Sequence, residues 1–329
     1  MYKMKKIVLK GFVFSFILFL LPVHVNAKDN FKLKAAVSQL YSSPDQLPLH
    51  VGLKLGYYEK EGMEIEPIEM AGGGDTVRGV TIGGMHIALS ALTSPIIAFE
   101  KGEPVKVVGG NLAVTSICWI VKGDSPIKTI QDLKGKKAAY SRPASNTQFL
   151  LIKSLREAKG IDPEDVTLVA TGGSSETMTA LKTGLVDAVY SAEPIVSKYG
   201  KEFRVLWWAS EYVPDYENSV VMTSNEFIKQ HPDIIKGFLN AHQRAMDFII
   251  KNPVEAGKIW AKALKVDEEM GIRAVKNSPP KGFTTKLPLK ALEAAEEGLL
   301  EFKLIKKPVD WKGLIDQNFL AKELRIEIP

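Results

Sequence analysis

Short apolar runs alternate with amphipathic stretches along most of the chain. Residues 32–37, 63–68, 85–89 and 105–108 read as buried strands. Between them the apolar spacing predicts a helix over 47–55 and another that starts at Ser94, with Pro95 in its first position, and runs to Glu100. Strand and helix in strict alternation predict a parallel, doubly wound sheet. At 117–121 the chain crosses over and the pattern begins again. A short helix over 129–133 precedes a strand at 137–140, a helix over 148–159 and a strand at 166–169. A helix ending at Lys182 and strands at 188–190 and 205–208 complete this half. The polar, aromatic segment 210–218 predicts a second crossover into a strand near Val220. The last third is mostly helical, with helices expected over 232–250, 253–264, 289–302 and 311–320.

The turn from Ser141 to Thr147 joins a buried strand to a helix, and Ser145 or Asn146 is its natural N-cap. Free backbone N–H groups at a helix start, placed at the carboxyl end of a strand, favour an anionic group. The run Gly72-Gly73-Gly74 matches neither a dinucleotide fingerprint nor a phosphate loop, and predicts a tight turn with positive φ.

Charge changes the picture only once its location is considered. The formal net charge is +5, but Lys3, Lys5, Lys6 and Lys10 precede an apolar run over 11–21 that Pro22 ends. Val25-Asn26-Ala27 then offers a cleavage site, so 1–27 is expected to be a secretory signal peptide, cut near Ala27. What remains is close to neutral, with no basic face for nucleic acid. Cys118 is the only cysteine, which excludes an internal disulfide. A monomer in the periplasm, stabilised by its core alone, is the expectation.

Two halves with polar loops at their strand ends imply a ligand held between lobes. The chain also resembles the nitrate/sulfonate/taurine-type periplasmic solute-binding proteins, the NitT/TauT and SsuA/THI5-like group. The resemblance rests on Leu47-Pro48-Leu49-His50-Val51-Gly52 running into Gly56-Tyr57-Tyr58-Glu59-Lys60-Glu61-Gly62. It continues through Gly102-Glu103-Pro104-Val105, Ile130-Gln131-Asp132-Leu133-Lys134-Gly135 and Thr183-Gly184-Leu185-Val186-Asp187-Ala188. It implies an α/β two-lobed clamshell of type II: lobe I over 28–115 and again over 212–329 with the C-terminal helices, lobe II over 116–211. It further implies delivery of a small solute to the permease and ATPase of an ABC importer, without cofactor or metal.

Carried over position by position, the resemblance places Tyr41, Ser42, Ser43, Ser90 and Thr93 against the ligand from one lobe. From the other come Ser141, Arg142, Ser145, Asn146, Thr147, Gly172, Gly173 and Glu193. Hydroxyls, amides and backbone N–H groups suit a sulfonate, carboxylate or nitrate-like anion, with Arg142 as a bidentate partner. Glu193 argues instead for an amine or ring N–H, so a thiamine-pyrimidine precursor or another aromatic N-heterocycle is the alternative. Tyr41, Tyr190, Trp119, Trp207 and Trp208 are candidates for the cleft wall or the core. A related family makes the thiamine pyrimidine. Here His50, His86, His231 and His242 show neither metal nor triad spacing, so the reading is a binding protein or solute sensor and not an enzyme.

Overall fold

The computed structural model describes residues 30–38, 43–70, 73–143, 145–278 and 282–328. The first group of elements is β1 (Phe31–Ser38), α1 (Leu47–Lys54), β2 (Met63–Met70), α2 (Gly73–Thr81), β3 (Ile87–Ala91), α3 (Thr93–Glu100) and β4 (Val105–Leu112). In β2, Met63 and Ile65 are buried while Glu64 and Glu66 face solvent, the alternation of an edge strand that also accommodates Pro67. In β3, Ile87 to Ser90 are all buried, as a central strand requires.

The second group is β5 (Ile117–Lys122), β6 (Lys137–Tyr140), α4 (Asn146–Glu157), β7 (Thr167–Ala170), α5 (Ser174–Thr183), β8 (Val189–Ala192), α6 (Ile195–Tyr199) and β9 (Phe203–Trp208). The chain then returns through β10 (Ser219–Ser224) into α7 (Asn225–Gln230), α8 (Pro232–Lys251), α9 (Pro253–Leu264), α10 (Glu268–Asn277), α11 (Leu289–Glu301) and α12 (Trp311–Leu314).

The first sheet has the order β2-β1-β3-β10-β4. Its β1, β2 and β3 run parallel, and β10 is antiparallel to both neighbours. In the second group β6 and β7 are parallel, β8 joins β6 through a parallel bridge at Ala138 and Ala188, and β5 runs antiparallel to β8 and β9. Each group is therefore mostly parallel, with one reversed strand. The reversed strands β5 and β10 are the two that arrive from the other group, so each enters its sheet from the opposite end. This is the two-lobed α/β architecture expected above.

Three local expectations change. The helix expected over 311–320 stops at Leu314, where Ile315 turns to extended backbone and bridges Val107. Helix α10 was not anticipated, although Asp267 caps it through the Met270 N–H and Met270, Ala274 and Val275 form its buried stripe. Gly73 is needed for close approach and not for positive φ: it opens α2, and a Cβ there would lie 1.8 Å from Ser94 Oγ. Gly72, Tyr41, Ser42 and residues 1–27, expected to be a signal peptide, lie outside the described residues.

The C-terminal helices tie the two groups together. One apolar cluster runs from Ile96 in α3 through Trp119 and Phe149 to Leu292 and Leu299 in α11. Gly298 lets α11 sit on the Phe149 ring, which a Cβ would approach to 2.8 Å. At the rim, Lys153 pairs with Glu297 at 2.7 Å and Arg156 with Glu301 at 3.0 Å.

Candidate functional site

Ser145 caps α4 by accepting from the Gln148 N–H at 3.3 Å. The hydroxyls around it then converge on Thr147. Ser141 donates its N–H to Thr147 Oγ1 at 2.9 Å, and the Ser141 and Ser145 hydroxyls lie 2.8 Å and 3.0 Å from the same oxygen. Gly172, at φ 89°, donates to the Ser141 carbonyl at 2.8 Å, and Gly173 is the N-cap of α5. Tyr190 closes this loop cluster by donating to the Gly172 carbonyl at 2.7 Å. Burial raises its phenol pKa, and the nearby Arg142 charge acts in the opposite direction. Arg142 itself is exposed. Ser141, Ser145, Thr147, Gly172 and Gly173 are thus brought together, with their hydroxyls largely satisfied by one another.

Two expected residues from the other group differ in fate. Ser90 is fully buried and accepts from Thr76 Oγ1 at 2.9 Å, beneath the start of α2. Thr93 faces across to Ser145 and Asn146 in a cavity of about 60 Å³, whose far wall is Gly298, Leu299 and Phe302 of the α11 region. Tyr216, from the second crossover, also enters this cavity and donates its hydroxyl to Asn146 Oδ1. Trp119 and Trp207 stack at 5.0 Å and are core residues, the former bonded to the Ala139 carbonyl.

Glu193 is 2% exposed and fully engaged. Its Oε1 accepts from Asn277 Nδ2 at 2.7 Å and its Oε2 from the Ser197 N–H at 3.0 Å. Arg273, on the same helix as Asn277, donates to the Ser197 carbonyl at 3.1 Å. Helix α10 therefore holds the loop after β8 from the opposite group.

A buried polar network at the crossovers was not anticipated. Tyr58 OH lies 2.7 Å from His242 Nδ1, and His242 Nε2 lies 2.8 Å from Asn111 Oδ1. Asn111 Nδ2 donates to the Asp45 carbonyl at 2.7 Å and to Ser219 Oγ at 2.8 Å, joining β4 to β10. Ser43 donates to the Asp45 carboxyl, whose pKa burial raises despite this bond and one from Ser219. Burial lowers the His242 pKa to about 3, so the ring stays neutral at physiological pH. Beside this network Glu217 is 1% exposed, and Gln46 is fully buried. Among the described residues neither the Glu217 carboxyl oxygens nor the Gln46 amide atoms have a hydrogen-bond partner. Burial pushes the Glu217 pKa well up, and the nearby Asn111 backbone N–H offsets this only in part. An acid placed between Tyr216 and an apolar strand was the available sequence signal. No group of three or more potential metal ligands occurs among the described residues.

Comparison with known proteins puts this geometry in context. Proteins named 4-amino-5-hydroxymethyl-2-methylpyrimidine phosphate synthase match at 25% identity. For THI13 of Saccharomyces cerevisiae the match covers 66% of this chain and 66% of the relative, just under two thirds of its length. For the Legionella pneumophila protein it covers 70% and 74%. The periplasmic aliphatic sulphonate binding protein SsuA of Escherichia coli superposes with a TM-score of 0.72 at 20% identity, over 91% of this chain and 96% of that one. The chain thus has a periplasmic binding protein fold. The exclusion of enzymes drawn from histidine and cysteine spacing is overturned by the synthase relatives. Groups from distant elements meet in this fold, as Tyr58, Asn111 and His242 do, so spacing along the chain is no test for catalysis. A model of the family described as NMT1/THI5 like matches residues 43–256, and the chain belongs to that family.

Proposed function

We propose that this protein captures a small aromatic nitrogen heterocycle of the aminopyrimidine class between its two lobes and delivers it to an ATP-driven importer. The observation that carries this reading is that the buried ionisable groups are acids and imidazoles with no buried cation beside them among the described residues. Among the described residues the buried ionisable side chains include Asp45, Glu193, Glu217, His50 and His242, and no lysine or arginine is buried. A desolvated anion would need a cation or free donors, while the Ser141–Thr147 hydroxyls already satisfy one another. Buried carboxyl groups suit N–H donors on the ligand. The pyrimidine chemistry in the relatives' names supports the same class.

In this reading 28–115 with 212–329, and 116–211, are the lobes. They close about the crossovers at 113–116 and 209–218, with Thr93, Ser145 and Asn146 at the mouth. Export as a monomer after cleavage near Ala27 belongs to the same proposal, and N-terminal sequencing of the secreted form tests it. The test of ligand class is a thermal-shift screen against aminopyrimidines, alkyl and aryl sulfonates, carboxylates and nitrate. A ligand at a hundred times its Kd adds about 2.7 kcal/mol. Stabilisation by sulfonates or nitrate alone would refute the heterocycle reading. The synthase names favour a second reading, ring synthesis, and mass spectrometry of small molecules that copurify separates it from capture.

A further inference from the structure

We propose that Glu217, with the Gln46 amide from the loop after β1, reads the amidine edge of the heterocycle, a ring nitrogen beside an exocyclic amine, by two-point hydrogen bonding. The inference rests on the ligand class proposed above and assigns the residue that selects it.

Position is the first argument. Glu217 lies in the crossover from β9 to β10, where the next residue, Asn218, donates to the Leu112 carbonyl at the end of β4. Both chain crossings therefore meet at this residue. Its predecessor Tyr216 reaches Asn146 in the other lobe. Ser219, two residues on, faces Asn111 and Asp45. The Glu217 carboxyl lies beside the Asn111 backbone N–H, and the Asn111 side chain bonds both Ser219 and the Asp45 carbonyl. Gln46 follows Asp45 directly, which brings the two unpartnered side chains to one neighbourhood.

The second argument is the absence of partners. Buried polar groups are nearly always hydrogen-bonded, and leaving one unpaired is costly. Asp45, Asn111, Ser219 and His242 all have partners in the same network. Glu217 and Gln46 alone in this group have no side-chain partner for either polar atom, and only the Asn111 backbone N–H lies near the Glu217 carboxyl. A network that satisfies its other members and leaves these two open has the form of a binding surface and not of a structural brace.

The third argument is chemical. Burial favours the protonated acid, which carries one O–H donor and one carbonyl acceptor. That pair matches a ring nitrogen acceptor beside an amine donor. An amide presents the same donor and acceptor, as glutamine does to adenine. Glu193 cannot take this role without giving up Asn277 and the Ser197 N–H.

The test is calorimetry of the full-length mature protein with 4-amino-5-hydroxymethyl-2-methylpyrimidine and with its counterpart in which hydrogen replaces the amine. Wild-type protein should favour the amine-bearing ring. Glu217→Leu should weaken that ring roughly a hundredfold, bring the two rings to similar affinity, and raise the unfolding midpoint of the free protein by several degrees. Glu217→Gln should keep most of the affinity. If the Leu variant binds the amine-bearing ring as wild type does, Glu217 is not the reader and the proposal falls while the ligand class stands. If wild type binds neither ring, the ligand class fails and takes the proposal with it. A lowered midpoint for Glu217→Leu would mean that the carboxyl braces the fold, and would also overturn the proposal.

Discussion

The two polar clusters of this protein are built on opposite plans. At the start of α4 the hydroxyls of Ser141, Ser145 and Thr147 satisfy one another across sequence separations of 2 to 6 residues. Around β4 and β10 the polar network joins Asn111 to Asp45 across 66 residues, to His242 across 131, and Tyr58 to His242 across 184. The local cluster forms wherever the turn forms. The long-range one exists only when β4, β10, α1 and α8 have all assembled. The first is a well-capped turn at a helix start. The second stores desolvated, titratable groups between β4, β10 and α8, and two of its neighbours remain open.

That contrast sets the expected sizes of perturbation. His242→Leu deprives Tyr58 and Asn111 of their shared partner in the core, and should cost about 3–5 kcal/mol in denaturant unfolding. It should also change the pH response. The folded-state pKa of His242 is about 3 against the usual 6.5. Between these values the unfolded chain binds more protons, so this contribution is present above pH 6.5 and is lost as pH falls toward 3. The variant should lose less stability over that range. Asp45 and Glu217 have raised pKa values and act in the other direction, contributing most below the usual carboxylate range and less as pH rises through their folded values.

A smaller effect is expected where α10 meets the loop after β8. Asn277→Ala leaves one oxygen of buried Glu193 unpaired and should cost roughly 1–3 kcal/mol. Because that bond ties α10 to the loop after β8, which the proposed function puts in different lobes, solution scattering should also show a larger radius of gyration for the free variant. An unchanged profile would show that the contact does not hold the lobes. The smallest effect belongs to the local cluster: Ser145→Ala removes a cap and should cost about 1 kcal/mol. A loss at Ser145 as large as that at His242 would break the comparison.

The same contrast explains what could be read before the fold was known. Ser145 was legible as a cap because its partner is the Gln148 N–H, three residues on. The strand and helix alternation was legible for the same reason, since each element buries its own stripe. Glu193 could be singled out, but its partner Asn277 lies 84 residues away on a helix that was not anticipated, so its engagement could not be foreseen. Asn111 and His242 carry no local signal: one sits in an apolar strand and the other on the buried stripe of α8. Their roles are set by tertiary neighbours. The expectation about catalysis failed on the same physics, because it weighed spacing along the chain in a fold whose polar groups meet across it.

The most direct test of the central claim is a paired calorimetric titration of the protein with 4-amino-5-hydroxymethyl-2-methylpyrimidine and with an alkyl sulfonate of similar size. A protein that buries acids and no lysine or arginine among its described residues should bind the aminopyrimidine, with little heat from the sulfonate. Saturable binding of the sulfonate and none of the pyrimidine would contradict the account.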